Sequence, residues 1–243
     1  MASDIFEKVT QAVGNDQLNV VVLGNRCSSH QLDPDGLTGV KPSEGIIVRA
    51  LGAAFMVGKL VNWRSLLRGS NDLHDLGINV FLSGGATNRK FPDVTEAQVL
   101  LALMRERSPG LFNPDVGLPL SMTSENVRSV ESAAGELRRQ LTGVAGNTIL
   151  MTERYFLDRA MHRMSWIGEG LIGVPANPFF YEWIPILPEV YHGHSRERLI
   201  SRNIRPPLPE FLLEAVVGRA LNRVDFLHHI SSVAGEWLRK KIF

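Results

Sequence analysis

Glycines, hydroxyl side chains and arginines follow three short apolar runs of this chain, at positions where they could bind an anion. The three clusters are Gly24-Asn25-Arg26, Ser83-Gly84-Gly85 and Thr152-Glu153-Arg154. Successive glycine amides form concave anion-binding nests, and a guanidinium group binds phosphate or carboxylate through two parallel hydrogen bonds. These residue types therefore predict binding of a small anionic ligand. Tight turns with a solvated arginine would use the same residues, and this structural alternative stays open.

Two familiar motifs are missing from these clusters, and their absence disfavours two classes of enzyme. The Gly-x-Gly-x-x-Gly fingerprint of dinucleotide-binding dehydrogenases does not follow the first apolar run at 19–23. The Gly-x-Ser-x-Gly motif that carries the nucleophile of α/β-hydrolases does not surround Ser83. The sequence therefore disfavours a standard dehydrogenase and an α/β-hydrolase.

Glu96 and Glu125 are the carboxylates best suited to act as a general base, or to bind a hydroxyl or an amine. Both lie near predicted helix starts, and the spacing of Asp93 and Glu96 fits a capping box, which would explain Glu96 by structure alone. The segment 123–126 is more polar than a helix cap requires. The candidates in this segment are Thr123, Glu125 and Asn126.

The third cluster opens a predicted helix. Thr152 is suited to be its N-cap, and Glu153 would interact favourably with the helix dipole, so local structure explains both residues. Arg154 and Arg159 are five positions apart and therefore lie on different faces of the helix. We expect one of these arginines to reach the ligand, and we retain Thr152 and Arg159 as candidates.

Neither a cysteine nucleophile nor a metal site is expected. Cys27 is the single cysteine, and no neighbouring residue supplies the base that would activate it. The pairs His192 with His194 and His228 with His229 lack the spacing of two ligands on one helix face, and no third ligand is indicated.

The pattern of strands and helices that would position these clusters predicts an α/β fold. We expect a Rossmann-like three-layer sandwich with a mostly parallel sheet of about five strands. Continuous apolar runs at 19–23, 80–83 and 148–151 are typical of buried parallel strands, and weaker strands are predicted at 116–120 and 170–174. Ligands of such sheets bind outside the carboxyl ends of the strands. We therefore expect the three clusters to meet at one edge.

Helices are predicted between the strands, after a short amphipathic helix at the N-terminus. Their ranges are 44–63, 93–107, 124–141 and 154–166, with a turn-rich loop over 25–43. The chain is predicted to form an α/β domain over 1–175 and a helical appendage over 176–243, with helices at 210–221 and 224–240. The aromatic, proline-rich stretch 179–185 could instead be a docking surface for another protein.

Composition excludes several classes of function. The 243 residues are 44% hydrophobic and 21% charged, and the net charge is +1. No strong field therefore draws the chain to nucleic acid or to acidic lipid, and we expect no nucleic-acid partner. The most apolar stretch, 45–61, contains Arg49 and Lys59 and is too short to span a bilayer. The single cysteine is compatible with a cytoplasmic location.

The order of these motifs resembles that of the bacterial family containing the YdcF, SanA and ElyC proteins. The similarity covers about residues 18 to 175. The matching segments are Val22-Leu23-Gly24, Arg49, Leu82-Ser83-Gly84-Gly85, Glu96-Ala97, Thr123 with Glu125-Asn126, and Thr152 with Arg159-Ala160. The chain departs from the family pattern at three positions, where Leu120 and Met122 replace a serine and an asparagine, and Phe156 replaces a histidine.

The resemblance implies a Rossmann-like fold and a link to envelope or small-molecule metabolism, with no established reaction. SanA-like and ElyC-like relatives carry membrane anchors, whereas this chain is more similar to the soluble YdcF-like members. If the family's histidine acts as an acid or base, Phe156 cannot replace it in that role.

The leading hypothesis is a protein that binds a small anionic or nucleotide-like ligand. S-adenosylmethionine is a candidate by analogy of fold alone. One alternative is a transferase or hydrolase acting on a phosphorylated or nucleotide-linked substrate, with Glu125 or Glu96 as general base. Another is a non-catalytic interaction protein linked to envelope metabolism. The identity of the ligand and the oligomeric state stay open.

Overall fold

The computed structural model describes residues 2–14, 16–24, 28–32, 39–87, 90–113, 115–124, 127 and 130–204. In chain order, its strands and helices are α1 (Ala2–Val13), β1 (Leu18–Leu23), β2 (Ser28–Leu32), β3 (Val40–Pro42), α2 (Glu44–Arg68), β4 (Ile78–Ser83), α3 (Glu96–Arg107), β5 (Leu120–Met122), α4 (Val130–Leu141), β6 (Asn147–Thr152), α5 (Arg154–Arg163), β7 (Leu171–Pro175), α6 (Asn177–Phe180), β8 (Val190–Tyr191), β9 (His194–Ser195) and α7 (Arg196–Ile204). Two 3₁₀ helices cover Ser165–Gly170 and Tyr181–Ile186.

The centre of the protein is a five-stranded parallel sheet in the order β5-β4-β1-β6-β7. From β1 the chain proceeds first to one side, through β4 and β5, and then to the other side, through β6 and β7. In sheets of this kind, ligands bind at the carboxyl ends of the strands where the direction reverses. Here that point lies between β1 and β6. The predicted parallel α/β fold is confirmed.

Helices cover both faces of the sheet, which explains why its strands are apolar on both sides. Val20 and Val22 pack in one cluster with buried side chains of α2 and α3. Val21 and Leu23 point to the opposite face and pack with α4 and α5. Successive side chains of a strand alternate between faces, so each strand contributes to both halves of the core.

Helix α2 is the central helix of the first face. The Ser43 side chain caps its N-terminus by accepting a hydrogen bond from the backbone amide of Ile46. The helix ends at Arg68, five residues later than predicted, because Gly69 takes the left-handed conformation (φ 64°) that terminates helices. Most of its residues are buried, including Arg49.

The helix starts after β4 and β6 differ from the prediction. Helix α3 begins at Glu96 rather than at Asp93, because Thr95 and Gln98 form the capping box. The N-cap of α5 is Glu153 rather than Thr152, and its side chain makes no capping hydrogen bond. The capping explanations of Glu96 and Thr152 are therefore wrong.

Two further parts of the prediction need correction. The third strand of the sheet is β5 at 120–122 rather than 116–120, because Gly117 and Leu118 donate to the carbonyls of Asn113 and Leu111 in a turn, and Pro119 leads into the strand. The loop predicted over 25–43 contains the antiparallel pair β2 and β3. The helices predicted at 210–221 and 224–240 lie outside the described residues.

The aromatic stretch proposed as a docking surface is largely packed against α2. Phe179 and Phe180 are fully buried. The indole of Trp183 donates to the carbonyl oxygen of Leu51 at 2.7 Å and packs edge-on against Phe55, with ring centroids 6.1 Å apart. Phe179, Phe180 and Trp183 therefore stabilise the fold, whereas Tyr181 of the same stretch is 40% exposed.

Within the described ranges, no helix combines the length and apolar character that crossing a membrane requires.

Candidate functional site

Polar residues line the carboxyl edge of the sheet on both sides of β1. The register pairs Leu23 with Ser83 on one side of β1. On the other side it pairs Val22 with Met151, the residue before Thr152. Thr123 follows β5 and lies next to Ser83. Strand spacing puts Ser83 and Thr152 about 10 Å apart, since one strand separates them. The edge therefore brings the second and third sequence clusters close to the end of β1.

The hydroxyl groups of Ser83 and Thr152 are buried and have no hydrogen-bond partner among the described residues. Ser83 is 1% exposed and Thr152 is fully buried. Most buried side-chain polar atoms are hydrogen-bonded, because burying one without a partner costs about 1–3 kcal/mol. Two such hydroxyls lie on the two strands that flank β1. Because an unpaired buried hydroxyl does not stabilise the fold, stability alone does not explain them.

Glu96 lies where β1 and β4 end, and its surroundings are built from glycine. A Cβ atom added to Gly24 would lie 2.5 Å from Oε2 of Glu96, and one added to Gly84 would lie 2.5 Å from its Cβ. The other carboxylate oxygen, Oε1, accepts a hydrogen bond from the hydroxyl of Thr87 at 2.7 Å. Only glycine at both strand ends lets this buried carboxylate lie directly against the backbone.

The glycine amides themselves serve the fold rather than a nest for an anion. The amide of Gly24 donates to the carbonyl of Ser83, and the amide of Gly85 donates to the carbonyl of Val127. The amide of Gly84 donates to the hydroxyl of Thr123 at 2.9 Å. These amides were expected to donate hydrogen bonds to an anion, but they donate to groups of the protein instead. The two glycines Gly24 and Gly84 allow close packing around Glu96.

On the other side of β1, a buried ionic network occupies the switch point of the sheet. Nη2 of Arg49 lies 3.2 Å from Oε2 of Glu153, and Nε of Arg202 lies 3.2 Å from Oε1 of the same carboxylate. Arg49 also donates to the carbonyl oxygens of Leu23 and Gly24. The network thus joins α2, the start of α5 and α7 to the end of β1.

Phe156 extends this network toward Arg159. The guanidinium of Arg49 lies 5.2 Å from the centre of its ring, and that of Arg159 lies 5.7 Å away. Cation–π contacts of this kind attract a guanidinium group to the face of the ring. Phe156 therefore contacts two arginines near the carboxyl edge.

The sequence-predicted residues fall into three groups. Gly24, Ser83, Gly84, Gly85, Glu96 and Thr123 come together around the ends of β1 and β4. Thr152 and Arg159 lie on the β6 side. Asn25, Arg26, Glu125, Asn126 and Cys27 lie outside the described residues.

Glu153, Arg202 and Thr87 were not predicted to bind a ligand, and Arg49 was linked to the site only through the resemblance to YdcF-like proteins. The sequence contained a signal for Arg49, because an arginine within the apolar segment 45–61 must bind a carboxylate or carbonyl group inside the protein. Glu153 was explained by the helix dipole, which requires no buried partner. No local pattern pointed to Arg202.

The histidines near β8 and β9 pair with carboxylates of the first face. His192 lies 2.7 Å from Oε2 of Glu106, and Nδ1 of His194 lies 3.4 Å from Oε1 of Glu44. Three or more metal-ligating side chains gather nowhere in the portion that the structure describes.

The fold and the site define an α/β protein with a doubly wound parallel sheet and a polar carboxyl edge. No family model, curated protein or solved structure matches the chain.

Proposed function

We propose that this protein binds a small anionic or nucleotide-like ligand at the carboxyl edge of its sheet, next to the point where the strand order reverses. The observation that carries the proposal is the pair of buried, unpartnered hydroxyls of Ser83 and Thr152. Hydroxyl groups donate to phosphate and carboxylate oxygens, and a ligand that accepts from both would remove the cost of leaving them unpaired.

The charges on the β6 side favour an anion. The guanidinium groups of Arg49, Arg159 and Arg202 gather there, together with the carboxylate of Glu153. The N-terminus of α5 lies at the same edge and adds a partial positive charge. S-adenosylmethionine and nucleotides are candidate ligands, and the resemblance to YdcF-like proteins is consistent with a small-molecule role.

Thr152→Val tests the role of the hydroxyl with almost no change of shape. In the free protein, we expect the variant to be as stable as the wild type or more so, because an unpaired buried hydroxyl is removed. Ligand affinity should fall about fivefold to thirtyfold, the equivalent of about 1–2 kcal/mol for one hydrogen bond. Native mass spectrometry would identify co-purifying molecules, and thermal shift with nucleotides, S-adenosylmethionine and sugar phosphates would measure binding.

Thr148→Val is the matched control. Thr148 lies on the same strand and the same face, about 13 Å toward the amino end. Its substitution should leave ligand affinity unchanged. The proposal is wrong if Thr152→Val destabilises the free protein and leaves the ligand-induced shift intact.

The second candidate function is a transferase or hydrolase acting on a phosphorylated or nucleotide-linked substrate. The burial of Glu96 beside the Thr87 hydroxyl favours it, since a positioned carboxylate sheltered from water is what a general base requires. Turnover of a panel of phosphorylated and nucleotide-linked substrates tests this candidate function. Each substrate is used at saturating concentration, where binding affinity no longer limits the rate. Wild-type turnover that is lost in Glu96→Gln supports catalysis, and turnover that persists in this variant excludes Glu96 as the base.

A further inference from the structure

The carboxylate of Glu96 lies at the ends of β1 and β4, the two strands that begin the first half of the sheet. We propose that this carboxylate binds the vicinal diol of a ribose, so that the ligand is a ribonucleoside phosphate rather than a simple anion. The inference rests on the proposed function, because it names the class of ligand for the same edge. In dinucleotide-binding sheets with a glycine-rich fingerprint, an acidic side chain near the end of the strand beside β1 binds a ribose hydroxyl. That fingerprint does not follow β1 of this chain, and the proposal carries over only the placement of a carboxylate at the same edge.

The local packing makes Glu96 suitable for this role. Gly24 and Gly84 have no side chains to separate the carboxylate from the strand ends, and a Cβ atom on either would overlap with Glu96. The hydroxyl of Thr87 donates to Oε1 at 2.7 Å and so restrains this oxygen. An ionised carboxylate only accepts hydrogen bonds, and a diol supplies two donors to it.

The charges on the two sides of β1 determine the orientation of the proposed ligand. A phosphate would be repelled by Glu96, whereas the hydroxyl of Thr152 and the arginines near α5 favour an anion. The β4 and β6 ends are about 10 Å apart, a separation that a single phosphate ion does not span. A nucleoside phosphate can place its diol at Glu96 and its phosphate toward β6.

The test compares matched ribonucleotides and 2′-deoxyribonucleotides of all four bases, as 5′-monophosphates, with inorganic phosphate and 2-deoxyribose 5-phosphate as ligands without a ribose diol. Affinity is measured by thermal shift and calorimetry on the full chain. We expect at least one ribonucleotide to bind about tenfold or more tightly than its deoxy form. In Glu96→Gln this ratio should fall toward one, while Glu182→Gln, a matched change at an exposed glutamate, should keep the wild-type ratio.

The outcomes separate this inference from the proposed function. Equal binding of ribonucleotides and deoxyribonucleotides, or an unchanged ratio in Glu96→Gln, overturns the diol inference. Binding of phosphate or 2-deoxyribose 5-phosphate without any nucleotide preference also overturns it but leaves anion binding standing. If none of these compounds, nor S-adenosylmethionine, binds and nothing co-purifies, the proposed function itself is wrong and this inference falls with it.

Discussion

Arg49 and Glu153 form an ion pair in the interior of the protein, with Nη2 and Oε2 3.2 Å apart and side chains 1% and 0% exposed. The pair connects the central helix α2 to the start of α5 at the point where the strand order of the sheet reverses. A second arginine, Arg202 of α7, binds the same carboxylate. The carboxyl edge is therefore held in place by residues from three distant parts of the chain.

Removing one member of this pair should destabilise the protein strongly. We expect Arg49→Met to lower the free energy of unfolding by about 3–5 kcal/mol, because Glu153 would remain buried without one of its guanidinium partners. The exposed Arg198, which pairs with Glu44, is the matched control, and Arg198→Met should cost about 1 kcal/mol or less. Urea denaturation measures both changes. Similar losses of unfolding free energy in the two variants would show that the buried pair stabilises the protein no more than the exposed pair.

The parallel sheet could be predicted because its main strands are continuous apolar runs. Residues 19–23, 80–83 and 148–151 all lie within strands of the sheet. The strand β5 was misplaced because it has only three residues, all of them partly or fully exposed, and Pro119 precedes it. The pair β2 and β3 was missed because 28–32 carries no apolar alternation, so only its partner strand defines it.

The candidate site could be predicted where a residue directly follows a strand. Ser83 and Thr152 end their apolar runs, and the parallel register brings them to one edge. The pairing of Arg49 with Glu153 spans 104 positions, and no local pattern encodes so distant a contact. The role of Glu96 was obscured because Asp93 offered a second capping box, whereas the chain uses Thr95 and Gln98.

Gly24→Ala should disturb Glu96 directly. The new methyl group would lie 2.5 Å from Oε2 and 2.8 Å from Cβ of Glu96, so the carboxylate must move. We expect a loss of about 1–3 kcal/mol in stability and a weaker ligand-induced thermal shift. Gly135→Ala in α4, where a Cβ atom meets nothing within 4 Å, should instead be neutral or stabilise the protein by about 0.5–1 kcal/mol. Equal effects of the two substitutions would contradict the close packing at Gly24.

Glu44 should contribute to acid sensitivity. His194, whose Nδ1 lies 3.4 Å from Oε1 of Glu44, holds the pKa of this carboxyl below its ordinary value of 4.5. The positive charge of Arg198 acts in the same direction, and burial opposes the shift. A lower folded-state pKa contributes stability that is complete above about pH 4.5 and is lost as the pH falls through the folded-state value.

Glu44→Gln removes this contribution, so its melting temperature should fall less steeply than that of the wild type below pH 4.5. The exposed Glu197, on α7, provides the control Glu197→Gln, which should follow the wild-type curve. Parallel melting curves for Glu44→Gln and the wild type across the acid range would exclude the linkage.

Arg64 should destabilise the protein. Its side chain is fully buried, Nε and Nη1 have no hydrogen-bond partner among the described residues, and burial lowers the pKa of its guanidinium. Nη2 donates to the carbonyl of Asp16, and the group stacks on Trp63. Arg64→Met keeps the apolar stem and removes the buried charge, so we expect a gain of about 1 kcal/mol, or about 2–4 °C in melting temperature. A clear loss would mean that the charge is solvated or paired in solution.

Arg202 should link α7 to the carboxyl edge. Besides Glu153, it donates to the hydroxyl of Tyr155 at 2.8 Å, and the neighbouring Asn203 exchanges hydrogen bonds with Asn177 at the start of α6. In Arg202→Met, Glu153 keeps Arg49 but loses its second guanidinium. We expect amide hydrogen exchange to rise about tenfold or more at the start of α5 and in α7, because local opening there no longer breaks the buried contact. Exchange of Leu18 and Asn147, whose amides donate to Gly77 and Gln17 at the opposite edge of the sheet, should not change. A uniform rise at both edges would show global destabilisation instead, and no rise at α5 would show that Arg202 does not hold this edge together.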